Sequence, residues 1–250
     1  MDDPEGEADA QEIPLQTGRI TPGVVRVGDT VRRPAKASSA FVAELLGHLT
    51  ARGCSWAPRY LGQDSSGRDV FSYQAGSVPS KWRTFADEQL RAAAAILRSL
   101  HDMTVGSKLA PLGVVCHHDP GPNNFVFRDD VPVALIDFDT AAPGSRSEDL
   151  GYMAWAWCLS SSPLRGHITA QARQVRTLSE AYGASPAVRA QLPDAIVERL
   201  RRNVQFWSNQ NESPGAILTA PEKLLEFLAW SKREQAYVEA NYAELVTALR

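Results

Sequence analysis

Apolar and polar residues alternate over residues 23–34, GVVRVGDTVRRP, on both sides of Gly28-Asp29, which predicts a β-hairpin. Ser38 or Ser39 can then cap a helix whose apolar stripe is Phe41, Leu45 and Leu49, with Gly53 as its stop. Residues 58–63 and 69–73, parted by Asp64-Ser65-Ser66-Gly67, predict a second hairpin. The order to about residue 75 is strand, strand, helix, strand, strand. Residues 73–83 contain Gly76 and Pro79 and read as a linker. Thr84 opens a helix, with Asp87 three positions on in near capping-box spacing. Its apolar face is Leu90, Ala93, Ala94, Leu97 and Leu100 or His101. After Gly144 the period is helical: Asp149 to Leu159, 163–182, 186–208 opened by Ser185-Pro186, and 221–248 opened by Pro221. Trp155 and Trp157 fall on different sides of the first of these helices, and both read as core.

Between the two patterns lies Val114 to Thr140, VVCHHDPGPNNFVFRDDVPVALIDFDT. Phe125-Val126-Phe127 and Val133-Ala134-Leu135-Ile136 predict two strands, and Arg128-Asp129-Asp130 a turn. A two-residue turn at Asp129-Asp130 pairs Arg128 with Val131 and sets Asn124 opposite Leu135. Asp137 is then a diagonal neighbour of Asn124, roughly 7–8 Å away. A hard cation between an amide oxygen and a carboxylate fits that span. Asp119 lies on the loop just before, within reach of a substrate hydroxyl.

The spacing His117-x-Asp119-x-x-x-x-Asn124, then a hairpin, then Ile136-Asp137-x-Asp139, resembles the catalytic core of the aminoglycoside phosphotransferase and choline kinase-like family. The resemblance implies an α+β, protein-kinase-like bilobal fold. A disordered tail at 1–13 would precede a nucleotide-binding sheet lobe with one helix at 14–75 and a mostly helical catalytic lobe at 76–250. It implies ATP-dependent phosphorylation of a small-molecule hydroxyl, with GTP left open as the donor. Asp119 would be the catalytic residue that accepts or orients the hydroxyl proton. Asn124 and Asp137 would hold Mg²⁺, with Asp139 either assisting an ion or bonding the loop. Asp149 reads as the N-cap of its helix, near the catalytic loop.

The first lobe departs from the family. Kinases carry a strand Lys that holds the α/β-phosphates and pairs with a helix Glu. Here Arg32 and Arg33 occupy that strand; Arg33 matches best by alternation, with Glu44 as its partner. Arginine supplies the charge in a different geometry. Only Gly18 and Gly23 around Thr21-Pro22 suggest a phosphate loop. Ser72, Tyr73 and Gln74 stand where backbone groups would meet the adenine. These departures motivate an alternative: a catalytically impaired, nucleotide-binding pseudokinase.

A third chemistry would make His117, His118, Asp119 and His101-Asp102 the ligands of a helical metallohydrolase. The Pro120-Gly121-Pro122 turn opposes the helix it needs. Asp194, Glu198, Glu212, Glu222 and Glu226 read as solvated helix faces more than as a cluster for a polycationic acceptor.

Composition narrows the rest. Apolar content of 44%, charged content of 22% and net charge −3 describe an ordinary globular chain with no general attraction to nucleic acid or anionic membrane. No apolar run approaches the ~18 residues of a membrane span. The acidic N-terminus is unlike a signal peptide. Cys54, Cys116 and Cys158 are odd in number and far apart, which suits a reducing, cytoplasmic compartment.

Overall fold

The computed structural model describes residues 11–15, 23–80, 83–212 and 220–250. Residues 1–10 of the expected tail, Gly18, and Thr21-Pro22 lie outside them. The chain separates into two compact units, divided between Ala75 and Gly76.

The first unit is a sheet with one helix. Its strands are β1 (Ile13–Pro14), β2 (Val25–Val27), β3 (Thr30–Pro34), β4 (Tyr60–Gln63) and β5 (Arg68–Ser72), in the antiparallel order β1-β2-β3-β5-β4. Helix α1 (Ser39–Ala51) follows β3. Val42, Leu45, Leu46 and Leu49 of α1 join Val27 and Phe71 in the core, because positions three and four apart share a helix face. Ile13 and Pro14 pair with Arg26 and Val25, so the sheet begins at the end of the stretch expected to be disordered.

The second unit begins with α2 (Asp87–Thr104) and the short strand β6 (Val114–Cys116). The ribbon β7 (Phe125–Arg128) and β8 (Val131–Leu135) follows, then β9 (Ala142–Gly144), which pairs with β6. Five helices complete it: α3 (Arg146–Cys158), α4 (Ile168–Tyr182), α5 (Pro186–Glu212), α6 (Pro221–Ala240) and α7 (Tyr242–Leu249). Trp157 is fully buried at its centre, with ring centroids 4.6 Å from Phe85, 5.1 Å from Phe125 and 6.2 Å from Phe127. Trp155 is buried too and stacks on Trp230. No helix among the described residues is long and apolar enough to cross a membrane.

The β7–β8 turn has Asp129 and Asp130 at φ 48° and 61°, the two positive angles of a type I′ turn, and Arg128 does face Val131. The register further back differs from expectation. A bulge between Val126 and Phe127 adds one residue to β8, so Leu135 faces Phe125 and not Asn124. The Asn124 carbonyl instead accepts the Ile136 N–H at 2.9 Å.

Helix starts also differ. Helix α2 begins at Asp87, not Thr84, because Gln89 reaches back to the Ala86 N–H at 2.9 Å. Helix α3 begins at Arg146: Ser145 and Glu148 form a capping box, and the Ser145 N–H donates to Glu148 at 3.0 Å. Asp149 is therefore inside the first turn and is not the N-cap. Asn241 divides the last expected helix into α6 and α7.

Helices α3 and α5 approach closely at Gly151. A Cβ there would lie 2.8 Å from the Ala195 carbonyl oxygen, a backbone atom that moves only with α5. Gly151→Ala should therefore lower stability by about 1–3 kcal/mol, read as a lower urea midpoint with an unchanged slope.

Candidate functional site

One buried carboxylate holds the loop after β6. Asp149 is 0% exposed, and its two oxygens accept the backbone N–H groups of His117 at 2.6 Å and His118 at 2.7 Å. The His101 ring donates a third bond at 3.1 Å through Nε2. Nδ1 of that ring then accepts the Tyr182 hydroxyl at 2.6 Å, and that hydroxyl accepts from Arg146 at 3.2 Å. Burial opposes ionisation of Asp149, but the His101 hydrogen bond and the His117 N–H hold its pKa below the ordinary carboxylate value. His118 can take the positive φ of 64° that this loop needs because histidine tolerates the left-handed region better than most side chains.

The far side of the loop is tied by Trp157, whose Nε1 donates to the Pro120 carbonyl at 2.9 Å. A short 3₁₀ turn, Pro122–Asn124, delivers Asn124. Asn124 is 5% exposed, and its Nδ2 donates to the Asp119 carbonyl at 2.8 Å and to Asp119 Oδ2 at 2.9 Å. Its Oδ1 faces the other way and accepts from Asn123 at 3.2 Å. Asp119 Oδ1 accepts the hydroxyl of Tyr152. Sequence-predicted Asp119 and Asn124 are thus brought into direct contact.

Asp137 follows Ile136, the residue paired with Asn124, so the bulge still leaves the two side by side in the chain path. Asp137 is exposed with φ 63° and ψ 66°, a conformation that Asp accepts more readily than bulkier residues. Its approach is set by His117, whose Nε2 donates to the Ile136 carbonyl at 3.0 Å. Asp139 is half-buried in the next 3₁₀ turn, Phe138–Thr140. Asn124 Oδ1, Asp137 and Asp139 offer only oxygen donors, which suits a hard divalent cation.

The histidines do not suit a metallohydrolase. His117 uses Nε2 on Ile136 and Nδ1 on the Asp119 N–H at 3.3 Å, and His118 Nδ1 donates to the Thr140 carbonyl at 3.1 Å. His101, Cys116 and Asp149 bring ligand atoms within 4.8 Å of one another. Each already bonds the protein, Cys116 through the Ser145 carbonyl at 3.1 Å.

In the first unit Arg33 is 8% exposed, with its guanidinium 4.6 Å from the Phe71 ring centroid and Asp69 opposite it across the strands. Glu44 is on the exposed side of α1. The N–H groups of Ser72 and Tyr73 donate to Arg59 at 2.9 Å and Asp29 at 2.8 Å within the unit, and Gln74 bonds the Ser72 hydroxyl at 3.4 Å. An adenine at this edge would need other backbone groups than those two N–H donors. The Arg26 guanidinium covers the Tyr73 ring at 3.9 Å. Of the expected acceptor carboxylates, Asp194 accepts from Tyr242 at 2.6 Å, Glu198 from Arg202 at 3.0 Å and Glu226 from Lys223 at 2.8 Å; Glu222 is exposed.

Sequence reasoning missed Tyr152 and Arg199, whose guanidinium lies 4.3 Å from the Tyr152 ring centroid. A signal existed for the first: residues 149 and 152 share a helix face, so a Tyr three beyond Asp149 points toward the same loop. Nothing in the sequence joins Arg199 to it.

Asp149→Ala should cost about 3–5 kcal/mol, because three buried donors lose their acceptor. The depressed pKa of Asp149 means that its stabilisation is full above the unfolded value of 3.8 and is lost as pH falls below it. Chemical unfolding of Asp149→Asn should accordingly show a flatter stability curve over the acid range than the parent protein.

Residues 107–192 match the family model described as the phosphotransferase enzyme family. The trifolitoxin immunity protein of Rhizobium leguminosarum bv. trifolii is 32% identical over 205 residues, spanning 72% of this chain and 77% of that protein. Among solved structures, a choline/ethanolamine kinase family protein from Mesorhizobium loti aligns with TM-score 0.61 and 18% identity, covering 98% of this chain and 93% of the other. Spectinomycin phosphotransferase, solved with ADP and spectinomycin, aligns with TM-score 0.64 and 11% identity over 94% and 93%. An aminoglycoside phosphotransferase solved with gentamicin gives TM-score 0.59 and 14% identity over 90% and 93%. At these identities the solved structures speak for the protein-kinase-like fold, and the sequence matches speak for kinship: the chain belongs to the phosphotransferase enzyme family.

Proposed function

We propose that the protein transfers the γ-phosphoryl group of ATP to a hydroxyl on a small molecule. The observation that carries this reading is Asp119 bonded to Asn124 at 2.9 Å on a loop clamped by Asp149 and Trp157. In the reaction the acceptor hydroxyl donates a hydrogen bond to the Asp119 carboxylate. Its oxygen bonds to the γ-phosphorus as the bridging oxygen of ADP leaves, and Asp119 takes the hydroxyl proton and later gives it to water. Little basicity is asked of Asp119, since positioning dominates a loose phosphoryl-transfer transition state. Asn124, Asp137 and Asp139 would hold Mg²⁺, whose bound charge supplies neutralisation of the phosphates. Arg33, Glu44 and the Ser72–Gln74 edge are the nucleotide contacts of this reading.

The immunity role named for the 32% identical relative favours a toxic compound as the acceptor. The setting that suits MgATP and three free cysteines is the cytoplasm.

The test is ADP release from MgATP across a panel of choline-like cations, aminoglycosides and other hydroxylated antibiotics. Release should require both an acceptor and Mg²⁺, and Asp119→Asn should lower kcat by about 10²–10⁴-fold while thermal unfolding stays near that of the parent. Nucleotide-induced thermal stabilisation with no ADP release on any acceptor would replace this reading with the pseudokinase. That second reading draws on Arg33, which is buried against Phe71 where kinases carry a Lys.

A further inference from the structure

We propose that Tyr152, backed by Arg199, is a positioning residue that holds the Asp119 carboxylate in the orientation the acceptor hydroxyl meets. The inference rests on the phosphotransfer reading and adds to it two residues from α3 and α5.

A carboxylate turns easily about its last torsion, which is broad and two-fold. One donor on one oxygen leaves much of that freedom. Asp119 has two donors on opposite oxygens, from different elements: Asn124 Nδ2 on Oδ2 and the Tyr152 hydroxyl on Oδ1. Each oxygen keeps another lone pair, so an incoming hydroxyl can bond without displacing either donor.

Tyr152 cannot wander. It sits one turn beyond Asp149 on a helix whose next neighbour, Gly151, touches the α5 backbone. Its ring carries the Arg199 guanidinium 4.3 Å from the centroid. A cation over the ring face fixes the ring and draws electron density from the phenol, which strengthens its O–H as a donor. Burial first and Asp119 second raise the Tyr152 pKa, so the phenol keeps the proton it donates. Arg199 itself lines an open cavity of about 220 Å³ with Ser147, Glu148, Glu198 and Arg202, so its side chain can be exchanged without opening the core.

The experiment is a double-mutant cycle read as MgATP consumption. Tyr152→Phe keeps the ring and removes only the hydroxyl. Its kcat should fall about tenfold, with the MgATP KM unchanged within about twofold. In an Asp119→Asn background the same substitution should change the residual rate by less than about twofold, because the group it positions is gone. Arg199→Met should lower kcat by about threefold and show the same loss of effect. Equal effects of Tyr152→Phe in both backgrounds, or an unchanged kcat, would overturn the positioning role and leave the phosphotransfer reading standing. A parent protein that consumes no ATP with any acceptor would overturn both. Should Tyr152→Phe lose its cooperative unfolding transition, the Arg199→Met cycle decides the matter by the same criteria.

Discussion

The second unit depends on a charge placed where water cannot reach it. A carboxylate as buried as Asp149 is tolerated only when its oxygens are filled, and here the fillers are the N–H groups of two successive loop residues and a histidine ring. The arrangement runs in both directions. The loop satisfies the charge, and the charge forces the loop into a shape that the chain alone would avoid, with His118 at positive φ. Asp119 inherits its place from that bargain, being the residue immediately after the two that bond Asp149.

Around this anchor the loop is held from three further sides by different chemistry. Trp157 is an apolar centre with one polar atom, and that atom takes the Pro120 carbonyl. Thr140 reaches the His117 carbonyl at 2.8 Å, and His117 reaches Ile136. Donors and acceptors on both sides of Asp119 are therefore committed before any ligand arrives, and that is the preorganisation phosphoryl transfer rewards.

Much of this was legible in the sequence. Asp119, Asn124 and the two-residue turn at Asp129-Asp130 follow from spacing and turn chemistry, and the helices from their period. The Phe125–Leu135 pairing was not legible, because a bulge in β8 leaves no mark on a run of apolar residues. Asp149 read as an N-cap because acidic residues cluster at helix starts; the Ser145-x-x-Glu148 box, opening four residues earlier, was the better sign. The pairing of Tyr152 with Arg199 was out of reach for another reason. Their partnership is tertiary, made by α3 and α5 packing across Gly151, and no local pattern encodes which helix will lie beside which.

The capping box at Ser145, the anchor at Asp149 and the phenol at Tyr152 all belong to the first two turns of α3. A helix advances about 100° and 1.5 Å per residue. One residue inserted or deleted between 145 and 152 would rotate the later groups away from the loop while leaving the helix itself intact. Family members can therefore be expected to trade the side chains between these positions yet keep the segment's length, and to accommodate gaps in the turns at 105–113 and 159–167 instead.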